Sequence, residues 1–236
     1  MQKATNKYRR QIAIGVAVGA LPLIIFIAFA ISARANGAPA MSESSIAWQD
    51  PKAATSAPEV LVYAADLPKS ALSEFSFWDD PASPGGKMIG TPNTGDELDP
   101  PPENDPHVTF KVKVQSGVAY RCWIHMKVGA PKGKSQANMF WVQFSDAVDK
   151  ANKQVLKPGT ESYLTAQGPA QLGWAWVKCN LAESNGSESL IYFRRSGEIT
   201  VRLQAGMEGV GFDQFLLSPA RFLENAPTEA VVTKQR

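Results

Sequence analysis

The sequence predicts an all-β domain, an antiparallel β-sandwich of jelly-roll type, preceded by a single N-terminal transmembrane helix. Three observations point there. From Glu59 onward apolar residues recur with period two, as half-buried strands require. Turn-forming clusters (DDPASPGG, PNTGDE, GAPKGKSQ, ESNGSE) divide those stretches, and no stretch between them shows a helical apolar stripe. Upstream, the chain from Ile12 to Ile31 carries no charge at all.

That uncharged run is long enough as a helix to cross about 30 Å of hydrocarbon. Lys3, Lys7, Arg9 and Arg10 precede it and only Arg34 follows closely, so residues 1–10 should stay in the cytoplasm while the remainder is exported. Residues 11–33 are therefore expected to be a transmembrane anchor. The alternative is a signal sequence cleaved at Ala33-Arg34-Ala35, although the apolar run exceeds the usual 7 to 15 residues of a signal peptide. Five of the 24 basic residues lie before residue 36, in a stretch without an acid, so the net charge of +2 belongs to the N-terminus and the rest is slightly acidic. Nothing in that balance favours nucleic acid as a partner.

Residues 34–57 are rich in Ala, Ser and Pro and read as a flexible linker, with Ile46 and Trp48 as residues able to pack locally. Residues 58–223 form the domain, and 224–236 a loose polar tail. In HVTFKVKV, Val108, Phe110, Val112 and Val114 share one face. Ile199, Val201 and Leu203 do the same in EITVRLQ, as do Phe140, Val142 and Phe144. EVLVYA, YRCWIHMKV, LGWAWVKC, SLIYF and GFDQFLL complete the strand candidates. Such a set without interleaved helices packs as a sandwich or jelly roll.

Gln115-Ser116-Gly117 reads as a three-residue hairpin loop, which would set Phe110 opposite Cys122 and Lys111 opposite Arg121. On that register Lys111, Lys113, Arg121 and Lys127 form one basic outer face around Trp123, either solvated or docking an acidic sugar or partner. Cys122 and Cys179 fall in strand candidates of an exported domain, where they either form a disulfide or stand as buried thiols. His107 and His125 read as ordinary imidazoles unless cross-strand pairing makes them metal ligands. GxSxG, HExxH, P-loop and CxxC patterns are all absent, and the acids cluster in turns, so no enzymatic activity is expected.

The segments EVLVYAADLP, AYRCWIHMKV, MFWVQFSDAVD, GWAWV and SGEITVRLQAGMEGVGFDQFLLSPARFL resemble, over roughly Glu59 to Leu223, the galactose-binding-like β-sandwich of carbohydrate-binding modules close to families six and thirty-five. The resemblance implies a noncatalytic jelly roll of an exported bacterial protein that binds glycans through aromatic side chains, often with a structural calcium. Sugar sites use aromatic faces for stacking and amides for hydroxyls, so the sugar-binding candidates are Trp123, Trp141, Trp174, Trp176, Tyr163 and Asn138, with core or inter-sheet packing as the alternative for Trp174 and Trp176. Of the family's calcium ligands only Asp66 and Asp213 have counterparts, so no cofactor is expected beyond that incomplete pair. The expected protein is a single-pass component of the bacterial cytoplasmic membrane, with its periplasmic or extracellular domain binding a glycan or a partner protein. The alternative is a structural subunit docked into a larger membrane complex by its span and its exported domain.

Overall fold

The computed structural model describes residues 48, 50, 56–94, 96–129, 138–181 and 189–228. The basic segment 1–10, the apolar run 11–33 and most of the linker and of the tail lie outside the described residues. Among the described residues no helix is long and apolar enough to cross a membrane.

Thirteen strands are found there: β1 (Val60–Tyr63), β2 (Leu72–Ser73), β3 (Ser76–Asp79), β4 (Lys87–Gly90), β5 (His107–Val114), β6 (Tyr120–Val128), β7 (Met139–Phe144), β8 (Ala147–Val148), β9 (Leu164–Gln167), β10 (Gly173–Leu181), β11 (Leu190–Phe193), β12 (Gly197–Ala205) and β13 (Gly211–Ser218). Helical structure among the described residues is confined to two single 3-10 turns, Ala64–Asp66 and Lys69–Ala71. All the strand pairings are antiparallel, in the order β2-β5-β12-β7-β9-β10-β6-β13-β4-β3, with β1 beside β13 and β11 beside β6 and β8. The strand β10 joins the two halves: Gly173–Lys178 pair with β6, and Cys179–Leu181 pair with β9.

The period-two pattern places the core as expected. Val108, Phe110, Val112 and Val114 of β5 and Ile199, Val201 and Leu203 of β12 are buried on one side of it, facing Ile124 and Met126 of β6 and Phe215 and Leu217 of β13. Edge-to-face contacts cross the interior, Phe110 to Phe215 at 5.2 Å and Tyr120 to Phe193 at 5.7 Å between ring centroids. Trp48, from the segment expected to be linker, packs edge-on against Tyr192 at 5.3 Å, over a small separate cluster with Ala119 and Val148.

The expected hairpin between β5 and β6 does not exist. β5 pairs with β2 and β12, placing Lys111 opposite Thr200 and Lys113 opposite Glu198, whereas β6 pairs with β10, β11 and β13. Gly117 does take the left-handed conformation, with φ of 75°. Its N–H, however, donates to the Phe193 carbonyl, while the Gln115 N–H donates to the Tyr120 hydroxyl, so the loop carries the chain from one half of the sandwich to the other. Alternation identifies which face of a strand is buried but not which strand lies beside it.

Candidate functional site

Two outer faces gather the polar and aromatic side chains. The first lies on β6, β10 and β13. A bulge between Phe212 and Gln214 inserts Asp213 into β13 as an extra residue and turns its carboxylate toward His125. His125 Nδ1 and Asp213 Oδ1 are 2.6 Å apart and both residues are buried. Register sets Trp176 opposite His125 and Trp174 opposite Lys127. The His125 ring consequently stacks on Trp174 at 5.0 Å and 13° and leans on Trp176 at 5.0 Å and 37°. Lys127 lies over Trp174 and bonds Asp80 Oδ2 at 2.6 Å, while Lys178 lies over Trp123. Burial pushes the Asp213 carboxyl above its ordinary range, against the opposing hydrogen bond and charge of His125. Asp80, for which burial works the same way, is nonetheless held below its ordinary range by the Lys127 hydrogen bond and the Ala82 N–H.

The second face lies on β5, β7 and β12. Outward positions Gln143, Arg202 and Gln204 form a polar row that is itself buried, because two loops fold over it. Gln143 Nε2 donates to the carbonyls of Lys157, Thr160 and Ser162, at 3.0, 2.8 and 3.0 Å. Gln204 Nε2 donates to the Asp99 carbonyl at 2.8 Å, and Arg202 Nη2 reaches the Glu103 carbonyl and the Asn104 side chain. Arg202 Nη1 links the row by donating to Gln204 Oε1 and, at 3.5 Å, to Gln143 Oε1. One buried row thus clamps both loops. Between them runs a groove of about 600 Å³ lined by Asp99, Pro100, Pro101, Pro102, Glu103, Glu161 and Tyr163. Trp141, buried, supports Tyr163 with ring centroids 5.8 Å apart.

The six sugar-binding candidates therefore divide. Trp174 and Trp176 are half-buried and Trp123 is buried on the first face, where Trp123 Nε1 donates to the Phe222 carbonyl at 2.7 Å. Tyr163 lines the groove and Trp141 lies behind it, whereas Asn138 bonds the Gly168 carbonyl and the Gln167 side chain. The single basic face is corrected outright. Lys111 and Lys113 stand on β5, with Lys111 bonded to Glu198 at 2.7 Å. Arg121, buried on β6, donates to the Leu223 carbonyl, and Lys127 is held by Asp80. These four were grouped only by the hairpin register, and the strands carrying them do not pair. His107 and His125 lie on these separate strands too, His107 next to the Asp105 carbonyl at 2.9 Å.

Asp66 ends a 3-10 turn and Asp213 is engaged by His125; no cluster of three His, Cys, Asp or Glu side chains suited to a metal ion forms among the described residues. Sequence reasoning missed Gln143, Arg202 and Gln204, and with them Asp99, Glu103 and Glu161. Alternation does put the first three on outward positions, but an outward Arg or Gln ordinarily meets water. The distinguishing signal is three-dimensional, since the loops that cover the row come from distant parts of the chain.

No family model and no curated protein matches the sequence. Among solved structures, a family 35 carbohydrate-binding module from Clostridium thermocellum is similar at 12% identity and a TM-score of 0.33, covering 67% of this chain and 97% of that one. An isomaltodextranase from Arthrobacter globiformis complexed with panose is similar at 14% identity and a TM-score of 0.42, and an exo-beta-1,3-galactanase from Phanerochaete chrysosporium with galactose at 15% and 0.35. The matched regions cover 67% and 70% of this chain and only 23% and 30% of those two proteins. At such identities and TM-scores the likenesses carry no argument about activity or ligand; the all-β antiparallel architecture rests on the strands themselves.

Proposed function

We propose that the domain is a noncatalytic glycan-binding module that uses the groove between the loops at 99–103 and 157–163, held at the outer side of a bacterial cytoplasmic membrane by an uncleaved N-terminal span. The observation that carries the binding site is the clamped pair of walls. A preformed concave site with a few convergent polar groups loses little order on binding a ligand. Tyr163 offers a ring for a sugar face, and the carboxylates of Asp99, Glu103 and Glu161 accept hydroxyl hydrogen bonds. These three acidic residues are exposed to solvent rather than enclosed in a water-excluded cleft, which supports binding without cleavage.

Titration calorimetry of the detergent-solubilised chain against a panel of neutral oligosaccharides tests this reading. Saturable binding that weakens at least about tenfold in Tyr163→Ala is expected, corresponding to the loss of one stacking contact and its burial. No binding across the panel would contradict it. The anchor is tested by intact mass: a native chain beginning at Met1 is expected, and one beginning at Asn36 would contradict the span. One observation favours the assembly-subunit reading: Trp78 is 45% exposed on β3, the terminal strand of the sheet order, where a partner protein could cover it.

A further inference from the structure

Cys122 of β6 and Cys179 of β10 are free thiols with no solvent exposure. They meet at the joint between the two halves of the sandwich. Trp123 opposite Lys178 is the last rung of the β6–β10 ladder, and from Cys179 onward β10 pairs with β9 instead. The next position past that rung on each strand is a cysteine, Cys122 and Cys179, and both are buried in the same core cluster. Opposed positions of antiparallel strands lie roughly 4.5 to 5.5 Å apart at Cα, so the positions directly beyond the Trp123–Lys178 rung start close to the span of about 4.4 to 6.8 Å that a disulfide bridges.

We propose that Cys122 and Cys179 close a disulfide across the β10 joint, and that the bond is made while the chain folds rather than afterwards. Its timing follows from access. In the folded domain no oxidant reaches either sulfur, and burial, with the neighbouring Cys179 thiol, holds the Cys122 thiol well above its ordinary range, so the attacking thiolate is scarce. In the unfolded chain both sulfurs are open to a small-molecule disulfide such as glutathione disulfide. The thiolate of one cysteine attacks it, forming a mixed disulfide and releasing one glutathione. The thiolate of the other cysteine then attacks the protein sulfur of that mixed disulfide and releases the second glutathione. The two protein thiols lose two electrons and two protons, and the oxidant becomes two thiols. The domain's redox state would then record the compartment in which it folded.

Full-length chain in detergent is unfolded under reducing conditions and refolded either with mixed glutathione disulfide and glutathione or with reductant alone. Each sample is then denatured, alkylated and weighed. Oxidative refolding should give a chain lighter by two hydrogens with neither cysteine alkylated, and Cys122→Ser should leave Cys179 unable to form the internal bond. Chain already folded in reductant and then given the same glutathione mixture should stay reduced and be alkylated at both sites once denatured. The oxidised form should melt about 5–15 °C above the reduced one, since the bond closes a loop of about 57 residues. Two free or two glutathione-capped cysteines after oxidative refolding would overturn the bond. Equally fast oxidation of the folded chain would overturn its timing, and an unchanged melting point would overturn its role as a tie.

Discussion

The two outer faces use similar side chains to opposite ends. On the face of β6, β10 and β13 the polar side chains serve the protein itself: His125 lies against Trp174 and Trp176, Lys127 covers Trp174, Lys178 covers Trp123, and Asp213 holds His125. On the face of β5, β7 and β12 the buried polar groups spend their hydrogen bonds on loop carbonyls, leaving the groove's Tyr163 and its carboxylates unshielded. The difference teaches that the number of aromatic rings does not mark a binding face. What matters is whether the ring faces are already covered by the chain's own side chains.

The largest expected effect comes from breaking the clamp. Gln143→Leu leaves the carbonyls of Lys157, Thr160 and Ser162 without their side-chain donor. A loss of about 2–3 kcal/mol in denaturant unfolding is expected, together with weaker glycan binding. Arg202→Met should weaken binding in the same way, because it frees the wall at Glu103 and Asn104. Stability loss with unchanged binding in both variants would show that the row supports the fold and not the groove.

A smaller effect separates the two carboxylates of the other face by sign. Asp80 sits below the ordinary aspartate value of 3.8, so it contributes stability that is present above that value and lost as pH falls through the lower folded value. Asp213 sits above 3.8, so its ionisation opposes folding, and this cost appears as pH rises from 3.8 through the higher folded value. Asp80→Asn should therefore flatten the rise of stability from acid toward neutral pH, and Asp213→Asn should steepen it. Stability measured by denaturant melts across that range checks both signs. Smallest of all, Lys111→Glu should leave the melting point unchanged within error, because its pair with Glu198 stands in solvent.

Much of this fold is legible in the sequence at the level of faces. The alternation of Val108, Phe110, Val112 and Val114 is reproduced residue for residue in burial. Strand neighbours are less legible, because Gly117 permits a tight turn without requiring that its flanking strands pair. The site is least legible. Arg202 and Gln204 look like solvated outward residues in EITVRLQ until the loops bearing Asp99 and Lys157 are seen to cover them. Of the ring residues singled out from the sequence, Tyr163 reaches the groove, whereas Trp123 is sealed by Phe222 and Lys178.

The most direct test of the account compares Tyr163→Ala with Trp176→Ala in titration calorimetry against the same oligosaccharide, with each variant first shown to be folded. If the groove is the site, Tyr163→Ala lowers affinity at least about tenfold while Trp176→Ala leaves it unchanged. Loss of binding in Trp176→Ala with none in Tyr163→Ala would contradict the account and move the ligand to the face of His125 and Asp213.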